Sequence, residues 1–144
     1  IRDRSKHGSG PPPALVRNPG LIYGLGNLVE NAMDFAKSRV RVDAMWSSSL
    51  IVITIEDDGP GFSPTVLARL GEPYLRGRPT DRRTKKEEES GLGLGLFIAK
   101  TLIERSGAIV DITNVSSPRS GAIVKMTWPR AAIEITGAVA IRSD

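Results

Sequence analysis

The sequence predicts a two-layer α+β sandwich, in which one mixed β-sheet carries its helices on a single face. Two long stretches with apolar residues at helical spacing, near residues 19–38 and 94–106, are each followed by two strand-like runs. Helices and strands thus come in blocks rather than in regular alternation, which argues against a doubly wound parallel sheet. At 144 residues the chain is long enough for one domain with a proper core.

The opening stretch, IRDRSKHGSGPPP, has no apolar periodicity and ends in three prolines, so residues 1–14 read as a linker or leader. The single histidine, His7, lies in it without a neighbour to activate it. The first helix opens with Asn18 as its cap and Pro19 in its first position. Leu25, Leu28, Val29, Ala32, Phe35 and Ala36 then mark one apolar face, and the helix is expected to end near Lys37 or Ser38. RVRVDAMW alternates, with Val40, Val42 and Ala44 on one side. After Ser47 to Ser49, LIVITIED is almost continuously apolar and β-branched, as a central, buried strand would be.

That strand ends in DDGPG, where the chain must turn, and Pro64 to Leu70 suits a short helix. Gly71 to Ser90 is polar, with RRTKKEEE at its centre, a length without periodicity that indicates a functional lid or a disordered loop. The second long helix starts within SGLGLGLFIAK and runs to about Ser106, with Leu94, Ile98 and Leu102 on one stripe and Phe97 beside it. Gly107 stops it. AIVDITNV and AIVKMTW, joined by SSPRSG, read as a hairpin. The domain is therefore placed at residues 15–130, with 131–144 a weakly patterned tail with room for one short extra element.

Composition narrows the function classes. The chain lacks cysteine, so disulfides and thiolate metal sites are excluded. It contains no apolar run near the roughly 20 residues that span a bilayer. Net charge is +4, but the basic residues are scattered and no aromatics are interleaved with them. Direct nucleic-acid binding is not expected, and a surface that receives a polyphosphate fits the balance at least as well.

Three constellations carry possible chemistry. Gly91, Gly93 and Gly95 do not make a dinucleotide fingerprint, because Leu96 stands where its last glycine belongs and no strand precedes them. They fit a hinge into a helix N-terminus, where free N–H groups favour an anion, or else a close helix contact. On the first helix, Asn27, Glu30, Asn31 and Asp34 form a polar stripe opposite the apolar face. Asn and Asp are poor helix formers, and their repeated use there points to a site rather than a merely solvated face. Amide and carboxylate oxygens are also ligands that Mg²⁺ accepts. Asp57 ends the apolar strand beside Gly59-Pro60-Gly61, either as the acceptor for an exocyclic amine on a flat ring or as the start of a turn.

Taken in order, these boxes resemble the ATP-binding catalytic domain of sensor histidine kinases. That domain lies within the superfamily shared with DNA gyrase, MutL and the heat-shock chaperone of the same fold. NLVENAMDFA looks like the N box, DDGPGF the G1 box, GEPYLRG a degenerate F box and GLGLGLFIAKTLIERSGA the G2 box. The resemblance spans about Leu21 to Pro129, and the last box looks most like RegB/PrrB-type redox-responsive kinases.

The resemblance implies a Bergerat ATP-binding fold and the cofactors ATP and Mg²⁺. By it, Asn31 coordinates Mg²⁺, Asn27 lies close to phosphate and metal, and Phe35 packs near adenine. Asp57 receives the adenine amino group in a pocket shaped by Gly59 and Gly61. Gly91, Gly93 and Gly95 hinge a lid over residues 72–90, and the amides from Leu94 to Leu96 face the phosphates. Tyr74 and Arg76, with Arg78, Arg82 and Arg83, are candidate nucleotide contacts within that lid, and Asp34 borders the site.

It further implies a phosphoryl acceptor histidine on a separate dimerisation domain, a downstream response regulator, and a homodimeric, membrane-anchored parent kinase with this domain in the cytoplasm. The expectation is a catalytic domain that binds ATP but does not phosphorylate itself alone. The sequence departs from the pattern at three positions. Asp34 stands where many kinases carry Lys, so that phosphate contact falls to Lys37 or the lid; Gly71 replaces the usual Phe, and Ala122 a frequent Thr. The alternative is an ATP-hydrolysing clamp of the gyrase and MutL branch. Its water-activating glutamate would align with Asn27, and Glu30, one turn on, is the remaining candidate.

Overall fold

The computed structural model of the protein describes residues 2–3, 7–8, 12–70 and 94–135. Its elements are β1 (Arg2–Asp3), β2 (His7–Gly8), α1 (Pro19–Phe35), β3 (Val40–Trp46), β4 (Leu50–Asp57), α2 (Pro64–Leu70), α3 (Leu94–Arg105), β5 (Ile109–Asn114), β6 (Ala122–Pro129) and α4 (Arg130–Ile133). One mixed sheet runs in the order β1-β3-β4-β6-β5, and β2 also pairs with β3. The pairs among β3, β4, β5 and β6 are antiparallel, whereas β1 and β2 lie parallel to β3. The stretch expected to be a plain linker thus adds two short strands to the sheet edge. A backbone run of any composition can pair with an exposed edge, so periodicity gives no sign of it. The short extra element expected in the tail is α4.

Register makes the two faces of the sheet unlike. Val42 pairs with Ile55 and Ile55 with Val124, so the apolar residues of β3, β4 and β6 fall in rows on one face. The helices cover that face. Ile51, Ile55, Val124, Met126 and Trp128 are buried beneath α1 and α3, and Trp128 also donates its indole N–H to Ser106 Oγ at 2.8 Å. β4 is central, as expected, but it is buried on one face only. Val52, Thr54 and Glu56 point to the other face and are half-buried.

Asn18 caps α1 by accepting the Leu21 N–H at 3.1 Å, with Pro19 in the first turn. Leu21, Leu28 and Ala32 are buried, while Phe35 is 38% exposed. The helix stops at Phe35, short of the expected Lys37 or Ser38, because Ala36 turns extended. The next three backbone N–H groups go to Asp58 instead of to helix carbonyls. In α3 the buried side chains are Leu96, Phe97, Ala99 and Ile103, not the expected stripe of Leu94, Ile98 and Leu102. Leu94 and Ile98 are exposed. The helix packs against α1 through small residues: a Cβ on Gly24 would lie 2.8 Å from Ile103 Cγ1 and 3.0 Å from the Ala99 carbonyl. This contact fixes the rotation of α3 and overrides the apolar periodicity.

Two glycines of α1 therefore serve opposite ends. Gly24 admits the neighbouring helix, whereas a Cβ on Gly26 would meet nothing within 4 Å. Gly24→Val is expected to destabilise the domain by about 1–3 kcal/mol through overpacking. Gly26→Ala should stabilise it by roughly 0.5–1 kcal/mol through helix propensity. Urea unfolding of both variants reads the two signs, and equal effects would contradict this packing.

Candidate nucleotide site

Asp57 is the last residue of β4 and the one buried carboxylate among the described residues. Its Oδ1 accepts the Gly59 N–H at 2.8 Å and the Ala122 N–H at 3.3 Å. Both of these donors are backbone groups, from the turn after β4 and from the start of β6. Oδ2 has no hydrogen bond among the described residues and remains available to a ligand. Backbone packs closely around this side chain. A Cβ on Gly59 would strike the Phe35 carbonyl, and one on Gly121 would strike the carbonyl of Asp57 itself.

Beside Asp57 opens a solvent-connected cleft. α1 contributes Leu28, Asn31, Ala32 and Phe35, and α3 contributes Leu96. Ile55 and Val124 form the sheet side, and Gly61 and Phe62 close the rim. The walls are apolar, with two placed polar groups, the Asp57 carboxylate and the Asn31 amide. A flat apolar ring bearing one hydrogen-bond donor matches that chemistry. The rim is held from a distance: Asn114, at the end of β5, accepts the Phe62 N–H and donates to the Phe62 carbonyl, each at 2.8 Å. Gly61 sits at φ +81°, and a Cβ there would come within 2.8 Å of Asn114 Oδ1.

The predicted residues largely converge. Asn31, Phe35, Asp57 and Gly61 line the cleft and Gly59 adjoins it. Asn27 is half-buried on the helix turn before Asn31, whereas Glu30 and Asp34 are exposed and line no part of the cleft. Leu96 supplies a buried side chain to the wall, while Leu94 is exposed. Gly95, in the first turn of α3, has open space where a Cβ would lie, so no helix contact requires it to be glycine. Lys37 lines a different cavity. Tyr74, Arg76, Arg78, Arg82, Arg83, Gly91 and Gly93 lie outside the described residues.

The comparisons with known proteins fit this geometry. Residues 17–132 match the family model described as histidine kinase-, DNA gyrase B-, and HSP90-like ATPase. The chain belongs to this family. It is 42% identical over 135 residues to the sensor histidine kinase RegB of Cereibacter sphaeroides, which covers 87% of this chain and 29% of that protein. The chain thus spans less than a third of the length of this curated relative. Among solved structures, the histidine kinase domain of the E. coli osmosensor EnvZ aligns with a TM-score of 0.60 at 22% identity. That alignment covers 94% of this chain and 78% of the other. Full-length ShkA in complex with AMPPNP aligns with a TM-score of 0.55 at 22% identity, over 94% of this chain and 27% of the other. These structures support the same α+β fold. The family assignment makes the protein an ATP-binding domain, and the gyrase-type alternative has less support than kinship with the sensor kinases.

Asp58, next to the cleft carboxylate, does different work. Its Oδ1 accepts the N–H groups of Lys37, Ser38 and Arg39 at 2.8, 3.0 and 3.1 Å, and its Oδ2 the Ser38 hydroxyl at 2.6 Å. The Ser38 hydroxyl first, and then these N–H groups, hold its pKa well below the usual carboxylate range. A group whose pKa is depressed by folding stabilises the protein above its unfolded pKa of about 3.9, and that contribution is lost as pH falls toward the folded value. Asp58→Asn is therefore expected to lower Tm at pH 7. The gap to the parent should narrow as pH drops below about 4. A gap that is constant with pH would remove ionised Asp58 from the account.

Proposed function

We propose that the protein is the nucleotide-holding catalytic domain of a sensor histidine kinase. It binds Mg·ATP and presents the γ-phosphate to a histidine on a separate dimerisation domain. The observation that carries this reading is the buried Asp57, which lines an apolar cleft with its Oδ1 tied to backbone and its Oδ2 without a hydrogen bond among the described residues. In this reading Oδ2 accepts the adenine amino group, and Leu28, Phe35, Ile55 and Leu96 enclose the ring. Gly61 and Phe62 set the rim, which Asn114 fixes.

The phosphates then run along the polar stripe of α1. Asn31 holds Mg²⁺, Asn27 lies beside the phosphates, and the free N–H groups of the first turn of α3, Leu94 to Leu96, point toward them. Gly91 and Gly93 are the proposed hinge of a lid over residues 72–90 that carries Tyr74 and Arg76. The donor set suits Mg²⁺. The described residues contain no cluster of three acidic or imidazole ligands, and this ion usually takes one or two protein oxygens and completes its shell with water and phosphate. When bound, it neutralises charge on the phosphates. Phosphoryl transfer relies on positioning and charge neutralisation more than on covalent chemistry by the protein, so these groups suffice for the nucleotide half of the reaction.

The parent protein is proposed to be a membrane-anchored homodimer, with this domain in the cytoplasm and a response regulator as the next phosphoryl acceptor. The 42% identity to RegB supports that placement. Glu30, exposed and away from the cleft, is poorly placed to activate water against a bound nucleotide. Mixing the domain with a histidine-bearing dimerisation domain of a RegB-type kinase and γ-labelled ATP should label that histidine with an acid-labile phosphoryl group. ATP binding without transfer, together with hydrolysis that Glu30→Gln abolishes, would favour the clamp instead.

A further inference from the structure

A second cavity, open to solvent, lies at the same end of the sheet. Arg41 and Glu56 form part of its wall, and both alternate to the sheet face away from the helices. Cavity and nucleotide cleft therefore lie on either side of the sheet end and meet at Asp57. Three connections supply most of the rest of the lining: Lys37 and Arg39 from the α1–β3 connection, Asp58 from the turn after β4, and Arg119 and Ser120 from the β5–β6 hairpin.

Of the charged residues that line this cavity, Lys37, Arg39, Arg41 and Arg119 are cationic and Glu56, Asp57 and Asp58 are anionic, a net charge of +1. Glu56 is paired with Arg41 at 3.3 Å, and Arg41 also reaches Asp43 at 3.4 Å. Asp58 is filled by three backbone N–H groups and the Ser38 hydroxyl. No ion pair reaches Lys37, Arg39 or Arg119 among the described residues. All three are exposed, so packing does not require them to converge. Lys37, Arg39 and Arg119 are thus the lining cations without an ion pair among the described residues, and they leave the cavity with a small positive excess. The Asp58 clamp also fixes the backbone that carries Lys37 and Arg39, so part of the ordering needed for binding is already in place. Guanidinium forks match tetrahedral oxyanions in a bidentate manner.

We propose that this cavity is a second anion site, separate from the nucleotide cleft, that takes a small phosphate-bearing dianion between Arg39 and Arg119. Free phosphate and a phosphate ester share the chemistry it would recognise, and inorganic phosphate is the probe that isolates it. The test is an amide NMR titration with phosphate, run with the nucleotide cleft filled by Mg·AMPPNP and repeated on the free protein. A chloride titration at matched ionic strength is the control. Saturable shifts are expected at Ser38, Arg39, Arg119 and Ser120 in both states. Arg39→Ala and Arg119→Ala should each weaken the phosphate affinity by about tenfold or more. Shifts that the chloride control reproduces, or that survive both substitutions, would overturn the site. So would shifts confined to Asn27–Asn31 and the start of α3, which place the anion in the nucleotide cleft. Failure of AMPPNP to bind would count against the proposed function alone, because the free-protein titration still decides the anion site.

Discussion

The structure depends on holding a carboxylate inside the protein at the point where three chain segments meet. Asp57 ends the central strand, and the end of α1, the turn after β4 and the start of β6 close around it. A buried carboxylate without partners is costly, and here two backbone N–H groups meet that need through one oxygen. Such close approach leaves no room for a Cβ at Gly59 or Gly121, so the glycines near this residue follow from the carboxylate they surround. The other oxygen makes no hydrogen bond among the described residues, and the side chain lines an apolar cleft. In the proposed function this is the acceptor for the amino group of a planar ligand.

The two adjacent aspartates divide the labour. Asp57 turns inward to the cleft, while Asp58 turns outward and gathers the backbone that leaves α1. One acid ties the connection between helix and sheet, and the other is the proposed recognition group. A similar division applies to the glycines. Gly24 lets α3 approach α1, whereas a Cβ on Gly95 would meet nothing within 4 Å among the described residues. Helix packing therefore accounts for the first glycine and not for the second.

Much of this is legible in the sequence because it is local. The Asn18–Pro19 start of α1 and the four main strands follow from local signals, whereas the one-sided burial of β4 does not, because its run is almost continuously apolar. Asn31 is visible as a poor helix former within a helix, Asp57 and Gly61 as a strand end and its turn, and Phe35 as a site residue only through the family resemblance; the cleft unites them. What escapes the sequence is set by distant contacts. The early end of α1 depends on Asp58, about twenty residues later, and the rotation of α3 depends on Gly24. Asn114 holds the rim of the cleft from across the domain, and nothing beside it in the sequence signals that role. The strands β1 and β2 join the sheet edge by backbone pairing, for which their sequence shows no periodicity.

The central claim is that the Oδ2 of Asp57 recognises a ring amino group. Calorimetric titration of the parent and of Asp57→Asn with ATP and with inosine triphosphate, which carries an oxo group where adenine has its amine, tests it most directly. The account predicts that the parent prefers ATP by about tenfold or more, the worth of one hydrogen bond to a charged acceptor. It predicts that this preference collapses in Asp57→Asn while Tm stays close to that of the parent. Equal affinity of the parent for the two nucleotides, or an undiminished preference in Asp57→Asn, would contradict it.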